Sequence, residues 1–254
     1  MLDVSSEPPA KRGKQTSEQK PTLTYWNGRG LCEQVRFMLA ACNVDYDESV
    51  PGVDHISHLS DSHHFEQLKA QGNLAFDQVP LLCIDGLHLV QSGAIVRYLA
   101  KKHGLVGTSL AQEAMCDVVH QGIRDWHGAC GIAFEFNFGH YAPSVEELAK
   151  FSQANSKYLP LLERIAVKSH SGFIMEGYGV AGLTYCDVAL AEVLDQNLMR
   201  EPALLENYPG LAKVHANLRD QVWLKNFLAS DKRKTKKLED VEPYKATVNR
   251  TLQR

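Results

Sequence analysis

Gln91 and Ser92 put an amide and a hydroxyl side by side where a strand hands the chain to a helix. The first turn of a helix carries backbone N–H groups without intrahelical partners and a partial positive charge, so polar side chains at its start make a pocket for a small anion. Just upstream, Val79-Pro80 is a bond that can be cis, which would turn the backbone edge of Val79 toward a ligand. A serine helix cap and a trans proline explain the same residues where no ligand binds, so the surrounding chain has to decide. Two other chemistries are weaker. Cys32 falls inside the first helix, not at its start, which is the wrong place for a thiol activated by a helix N-terminus. His55, His58, His63 and His64 have spacing that could hold zinc, but in a polar stretch with nothing to order it. Solvated imidazoles are expected there, and no metal site.

The elements around Gln91 and Ser92 are legible. Leu81, Leu82, Cys83 and Ile84 form an apolar strand, Asp85-Gly86 suits the positive φ angles of a tight hairpin, and residues 87–91 return as a second strand. Ser92 then opens a helix with Ile95, Tyr98 and Leu99 on one face, Lys101, Lys102 and His103 in the last turn and Gly104 as its stop. Upstream, Leu23, Thr24, Tyr25 and Trp26 read as a strand. The turn Asn27-Gly28-Arg29-Gly30 follows, then a helix carrying Val35, Met38, Leu39 and Cys42, and a strand over 44–50. The order is strand, helix, strand, variable stretch, strand, strand, helix, as in the thioredoxin fold. Beyond Gly107 only helical periods remain, over 110 to about 140, 144 to about 168, 187–198 and 211–230 with a break near Asp220. Thr184 and Asp187 read as a capping box, with Leu183 as its staple. The expected organisation is a disordered extension over 1–20, a thioredoxin-like α/β domain over 21–107, an all-α domain over 108–230 and a tail or lid helix over 231–254. The tail's basic run from Lys232 to Lys237 is expected to be solvated.

Composition limits the function classes. At 254 residues, 44% hydrophobic, the chain can bury one large core or two modest ones, and no apolar run is long enough to span a bilayer. A net charge of -3 with a pI near 6.4 gives no basis for a nucleic-acid surface. Cys32, Cys42, Cys83, Cys116, Cys130 and Cys186 are scattered through apolar patterns without a signal peptide before them. Free thiols in a cytoplasmic, reducing setting are expected, with neither nucleic acid nor membrane as partner.

Taken in order, the stretches LTYWNGRG, FDQVPLLCIDGLHLVQSGAIVRYLAKK and LTYCDVAL resemble the cytosolic glutathione transferases of the tyrosine type, closest to the alpha class. The resemblance runs from about residue 21 to 230. It implies a glutathione transferase that conjugates the thiolate of reduced glutathione to small hydrophobic electrophiles in detoxification, with glutathione as co-substrate and no cofactor. Tyr25 matches the catalytic tyrosine, whose hydroxyl donates to the glutathione sulfur. Gln91 and Ser92 match the pair that holds the γ-glutamyl end, and Val79 before Pro80 matches the residue whose backbone pairs with the cysteinyl part. Gln78 and Lys69 match further polar contacts to glutathione, the lysine toward the glycine carboxylate. Asp125 lies where several classes send an acidic residue to the partner subunit's glutathione, and Phe76 matches the aromatic key of a symmetric homodimer. Trp26 is expected to border the hydrophobic-substrate pocket or the core. Leu31 stands where the alpha class usually has an arginine, and Arg29 is expected to hold the Tyr25 loop by ion pairing. A non-catalytic ligand-binding or structural protein of this fold is the rival reading, and an isomerase of the prostaglandin synthase type is the rival within the enzymes.

Overall fold

The computed structural model describes residues 19–26, 28–49, 63–131 and 144–234. The expected disorder of the N-terminal extension, the distal tail, and His55 and His58 lie outside these residues; His63 and His64 enter only as the backbone that opens a helix. Four short strands, β1 (Thr22–Thr24), β2 (Asp47–Ser49), β3 (Leu81–Ile84) and β4 (Leu87–Val90), make a mixed sheet in the order β2-β1-β3-β4. β1 runs parallel to β2, which needs a helical crossover, and antiparallel to β3. The β3–β4 hairpin pairs Leu82 with Leu89. Asp85 and Gly86 turn it at φ 54° and 75°, as that dipeptide suggests.

The crossover from β1 to β2 passes through a single 3-10 turn (Gly30–Cys32) into α1 (Glu33–Ala41). Every residue of α1 from Glu33 to Leu39 is buried, polar ones included. A helix buried on all sides lies between two layers, and α1 has the sheet and α3 (Ser92–Lys102) on one side and the helical half on the other. One core runs unbroken from Leu23, Val35 and Leu82 to Trp126, Leu190, Leu218 and Phe227. α2 (His63–Ala70) fills part of the variable stretch and packs Phe65 against Leu74 and Leu81.

The helical half consists of α4 (Leu110–Ala129), α5 (Val145–Ala166), α6 (Tyr185–Arg200), α7 (Pro209–Asp220) and α8 (Val222–Ala229), the last two divided at the expected break. Ser144 and Glu147 cap α5 reciprocally, and Thr184 and Asp187 do the same for α6, which starts at Tyr185, two residues before the expected span. α6 is the axial helix: twelve of its residues are buried between α1, α4 and α7. All six cysteines are free. Among the described residues no helix is long and apolar enough to cross a membrane, and no cluster of three or more His, Cys, Asp or Glu could hold a metal.

The expectation of a solvated basic run is corrected where the structure describes it. Lys232, Arg233 and Lys234 fold back onto the body of the protein and pair with Asp45, Asp195 and Glu48. Periodicity could not signal this, because the carboxylates that receive them lie far away in sequence. Within the first twenty residues, Lys20 also docks, pairing with Asp45 and Asp47.

Candidate active site

Tyr25 follows β1 directly, so the sheet fixes its backbone, and its amide donates to Ser49 O on β2 at 3.0 Å. Its ring turns back over the next loop, where its hydroxyl oxygen accepts the N–H of Leu31 at 3.2 Å. That contact exists because Gly30 has no side chain. Gly30 sits at φ +43°, and a Cβ there would overlap the Tyr25 hydroxyl. Burial pushes the phenol up to about 12, the buried Cys32 adding to it, while the Leu31 N–H and Arg36 act the other way. The group is therefore a neutral O–H donor throughout the physiological range. With a lone pair already occupied by Leu31, its hydrogen is the part left to donate.

Gly30→Ala is expected to displace the hydroxyl while leaving the sheet and helices intact. It adds a left-handed alanine costing roughly 1–2 kcal/mol and should lower kcat/KM about tenfold, a 1.4 kcal/mol loss at the donor. Steady-state rates alongside circular dichroism check this, and a folded variant with wild-type turnover would contradict it.

Tyr25 connects to the helix start through a residue that sequence reasoning missed. Gln34, on α1 and 4% exposed, directs its amide Nε2 to Ser92 Oγ at 2.8 Å, and the same nitrogen lies 3.5 Å from Leu31 O. Leu31 thus faces the Tyr25 hydroxyl with its N–H and Gln34 with its carbonyl. The signal was present in the sequence: Glu33, Gln34 and Arg36 are polar residues within the apolar run of Val35, Phe37, Met38 and Leu39, and polar groups on a fully buried helix must be paired.

The helix opens at Ser92, as expected. Gln91 occupies the N-cap position at φ 67°, and Ser92 is the first helical residue. No side chain caps this end; Ala94 N–H already donates to Gln91 O, which leaves the N–H groups of Ser92 and Gly93 for an anion. Because Ser92 Oγ accepts from Gln34, its own hydrogen is available to a ligand. Gln91 leans toward Gln78 at 3.5 Å, and both are exposed at the rim. The Val79-Pro80 bond is cis, and it precedes β3 immediately.

The remaining predicted residues are spread over separate elements. Lys69, on α2, pairs with Glu66 at 3.4 Å and stands over the Phe65 ring at 5.7 Å. Trp26 is 6% exposed and packs on Phe65, with ring centroids 6.0 Å apart. Asp125 is exposed on α4 and accepts from Gln121 at 2.7 Å. Phe76 is 66% exposed on the loop before Val79. Leu31 is also exposed, and Arg29 is buried with an ion pair to Asp195 on α6 at 2.9 Å, so it ties the Tyr25 loop to the helical half.

The arrangement can bind a small anion at the start of α3, an extended chain along the Val79 edge, and a third group within reach of the Tyr25 hydroxyl. Comparisons with known proteins point the same way. Residues 21–101 match the family described as "Glutathione S-transferase, N-terminal domain", and residues 135–231 match "Glutathione S-transferase, C-terminal domain". The chain is 33% identical to Glutathione S-transferase A1 of Bos taurus over 82% of its own length and 88% of that protein's. It is 31% identical to Glutathione S-transferase A3 of Mus musculus over the same shares, 82% and 88%. Among solved structures, the glutathione S-transferase from Ascaris lumbricoides superimposes with a TM-score of 0.68 at 27% identity, covering 85% of this chain and 99% of that one.

Proposed function

The chain belongs to the glutathione S-transferase family and is a glutathione transferase, and we propose that it conjugates reduced glutathione to small hydrophobic electrophiles through Tyr25. One observation carries this reading: the half-buried neutral Tyr25 hydroxyl, held by Leu31, shares a hydrogen-bonded chain with Ser92 at the open start of α3. In the proposed complex the γ-glutamyl carboxylate lies at the first turn of α3 with Gln91 and Ser92. The cysteinyl backbone pairs with the Val79 edge before Pro80, and Gln78 and Lys69 add polar contacts. The thiol loses its proton to solvent, and the Tyr25 O–H donates to the resulting thiolate. The sulfur lone pair then forms the new S–C bond while the electrophile's leaving group departs with its bonding pair.

Retention on immobilised glutathione, eluted by free glutathione, tests the binding half. Turnover of a panel of apolar electrophiles tests the second substrate, and retention without turnover of any of them would overturn that part. Six free cysteines suit a reducing compartment, which supports cytoplasmic action.

We further propose a symmetric homodimer in which Phe76 docks on the partner and Asp125 approaches the partner's glutathione. Phe76, Val118 on α4 and Leu87 on β4 are large apolar side chains that a lone subunit leaves in water. Phe76→Ser is expected to shift sedimentation from dimer toward monomer at micromolar concentration. An unchanged dimer would remove Phe76 from the interface.

A further inference from the structure

Behind the Tyr25 loop, charged side chains form a closed ring. Arg233 Nη2 lies 2.8 Å from Asp195 Oδ1, and Arg29 Nη2 lies 2.9 Å from Asp195 Oδ2. Arg29 Nε stands 3.9 Å from Glu33 Oε1, an ion pair without a hydrogen bond. Glu33 Oε2 receives Arg36 Nη1 at 3.0 Å, Arg36 Nε reaches Glu48 Oε1 at 2.8 Å, and Glu48 Oε2 receives Lys234 Nζ at 2.8 Å. Lys234 follows Arg233 in the chain, so two adjacent tail residues close a circuit of alternating charge.

The circuit is largely shielded from water. The side chains of Glu33 and Arg36 are 0% and 1% exposed, those of Arg29 and Asp195 6% and 10%, and those of Arg233 and Lys234 15% and 22%. Burial drives the Glu33 carboxyl up despite Arg29 and Arg36, a sign of how dry this position is. Ion pairs in water contribute little, but in such surroundings a lost partner leaves a charge that must find another or move.

Two of the ring's arginines hold the loop between β1 and α1. Arg29 belongs to it, and Arg36 Nη1 also donates to Gly28 O at 2.8 Å. The same loop carries Gly30 against the Tyr25 ring and Leu31 N–H on the Tyr25 oxygen.

We propose that Arg233 and Lys234 are positioning residues for Tyr25, the C-terminal strap setting through Asp195–Arg29 and Glu48–Arg36 the loop that aims the hydroxyl at the glutathione sulfur. The proposal rests on the reading of Tyr25 given above. A site of this kind works only when its hydrogen-bond donor is held within a fraction of an ångström, and the supporting shell supplies that constraint. The strap pairs with Asp45, Asp195 and Glu48 and not with the anion pocket at Gln91 and Ser92, so its effect falls on the thiol's ionisation and not on glutathione's anchoring.

The decisive measurement is the pKa of glutathione bound to the full-length protein, read from thiolate ultraviolet absorbance against pH, with no electrophile present. Arg233→Gln combined with Lys234→Gln is expected to raise that pKa by about half to one unit, a three- to tenfold loss of thiolate at about pH 6.5. Glutathione affinity should stay within about twofold. Arg233→Lys, which keeps the charge, should restore most of the shift. Lys232→Gln, in the same strap but paired with exposed Asp45, should leave the titration unchanged. An unchanged titration in the folded double variant would overturn the proposal. So would loss of the fold in the single variant Arg233→Gln, which would make the ring a stability element. If the wild-type protein binds no glutathione, the reading of the site fails; if it binds with an unperturbed thiol, the role of Tyr25 fails. Both outcomes differ from a failure of the strap alone.

Discussion

Tyr25→Phe is expected to lower kcat/KM for conjugation ten- to hundredfold near neutral pH while leaving glutathione affinity almost intact. A hydrogen bond to a charged acceptor is worth roughly 1.5–3 kcal/mol, and each 1.36 kcal/mol corresponds to one pKa unit of the thiol. Removing the hydroxyl therefore returns the bound thiol toward its free value of about 8.5. The loss should be greatest on the acidic side and should shrink above about pH 9, where an unassisted thiol ionises by itself. Because burial pushes the Tyr25 phenol up to about 12, the group itself does not titrate across that window, and the rising limb reports the sulfur. Affinity is spared because the anion pocket at Gln91, Ser92 and the start of α3 lies outside the substitution. The amide of Leu31 loses its acceptor, but Leu31 is exposed and water can replace the lost bond. A pH–rate profile of the variant running parallel to wild type at every pH would take the donor role away from Tyr25.

Asp187→Ala should have the largest effect on folding. Asp187 is fully buried at the start of α6, where its Oδ1 accepts the Ile174 N–H at 2.6 Å and its Oδ2 accepts the Thr184 N–H at 2.9 Å and hydroxyl at 2.7 Å. Alanine leaves two buried N–H groups without acceptors, each costing about 1–3 kcal/mol, and removes a helix cap worth about 1 kcal/mol. A total of roughly 3–7 kcal/mol is a large part of the stability of an ordinary domain. The helix concerned is the one around which the helical half is packed, so the loss should appear as poor soluble yield and a strongly lowered urea midpoint. Asp187→Asn keeps one acceptor oxygen and should fall between the two. A midpoint for the alanine variant within about 1 kcal/mol of wild type would show that other contacts fix the start of α6.

Local chemistry explains which features were readable beforehand. The β3–β4 hairpin was visible because Asp85-Gly86 has few other conformational uses between two apolar runs, and the cap residue Thr184 because its partner Asp187 lies three residues away. Tyr25, Gln91 and Ser92 gained meaning only in combination, through the likeness to a known family. The hidden features all depend on long-range pairing. Gln34 reaches Ser92 across 58 positions, and Arg29 reaches Asp195 across 166. No window of sequence contains both ends, so Gln34 read as an unremarkable helix residue and the strap as solvated charge. The helix start at Ser92 was legible, but the conformation of the residue before it was not. Gln91 takes a left-handed backbone, which serine caps do not need and glutamine seldom adopts, so only tertiary context selects it.

The position of α1 bears on how this protein can evolve. The chain reads as two modules, yet α1 belongs to both interiors, packing on α3 and sharing a core with Leu23 and Leu82 of the sheet while also meeting α6 and α8. Phe37 illustrates the dependence, since it meets Trp223 and Phe227 of α8 edge-on at 6.5 and 4.7 Å. A first half borrowed from a distant relative would bring an outer face of α1 shaped for another partner. Recombination at the linker between the halves therefore carries a packing penalty that point substitution at an exposed residue does not. A new helical half cannot be joined in a single exchange without repacking that outer face.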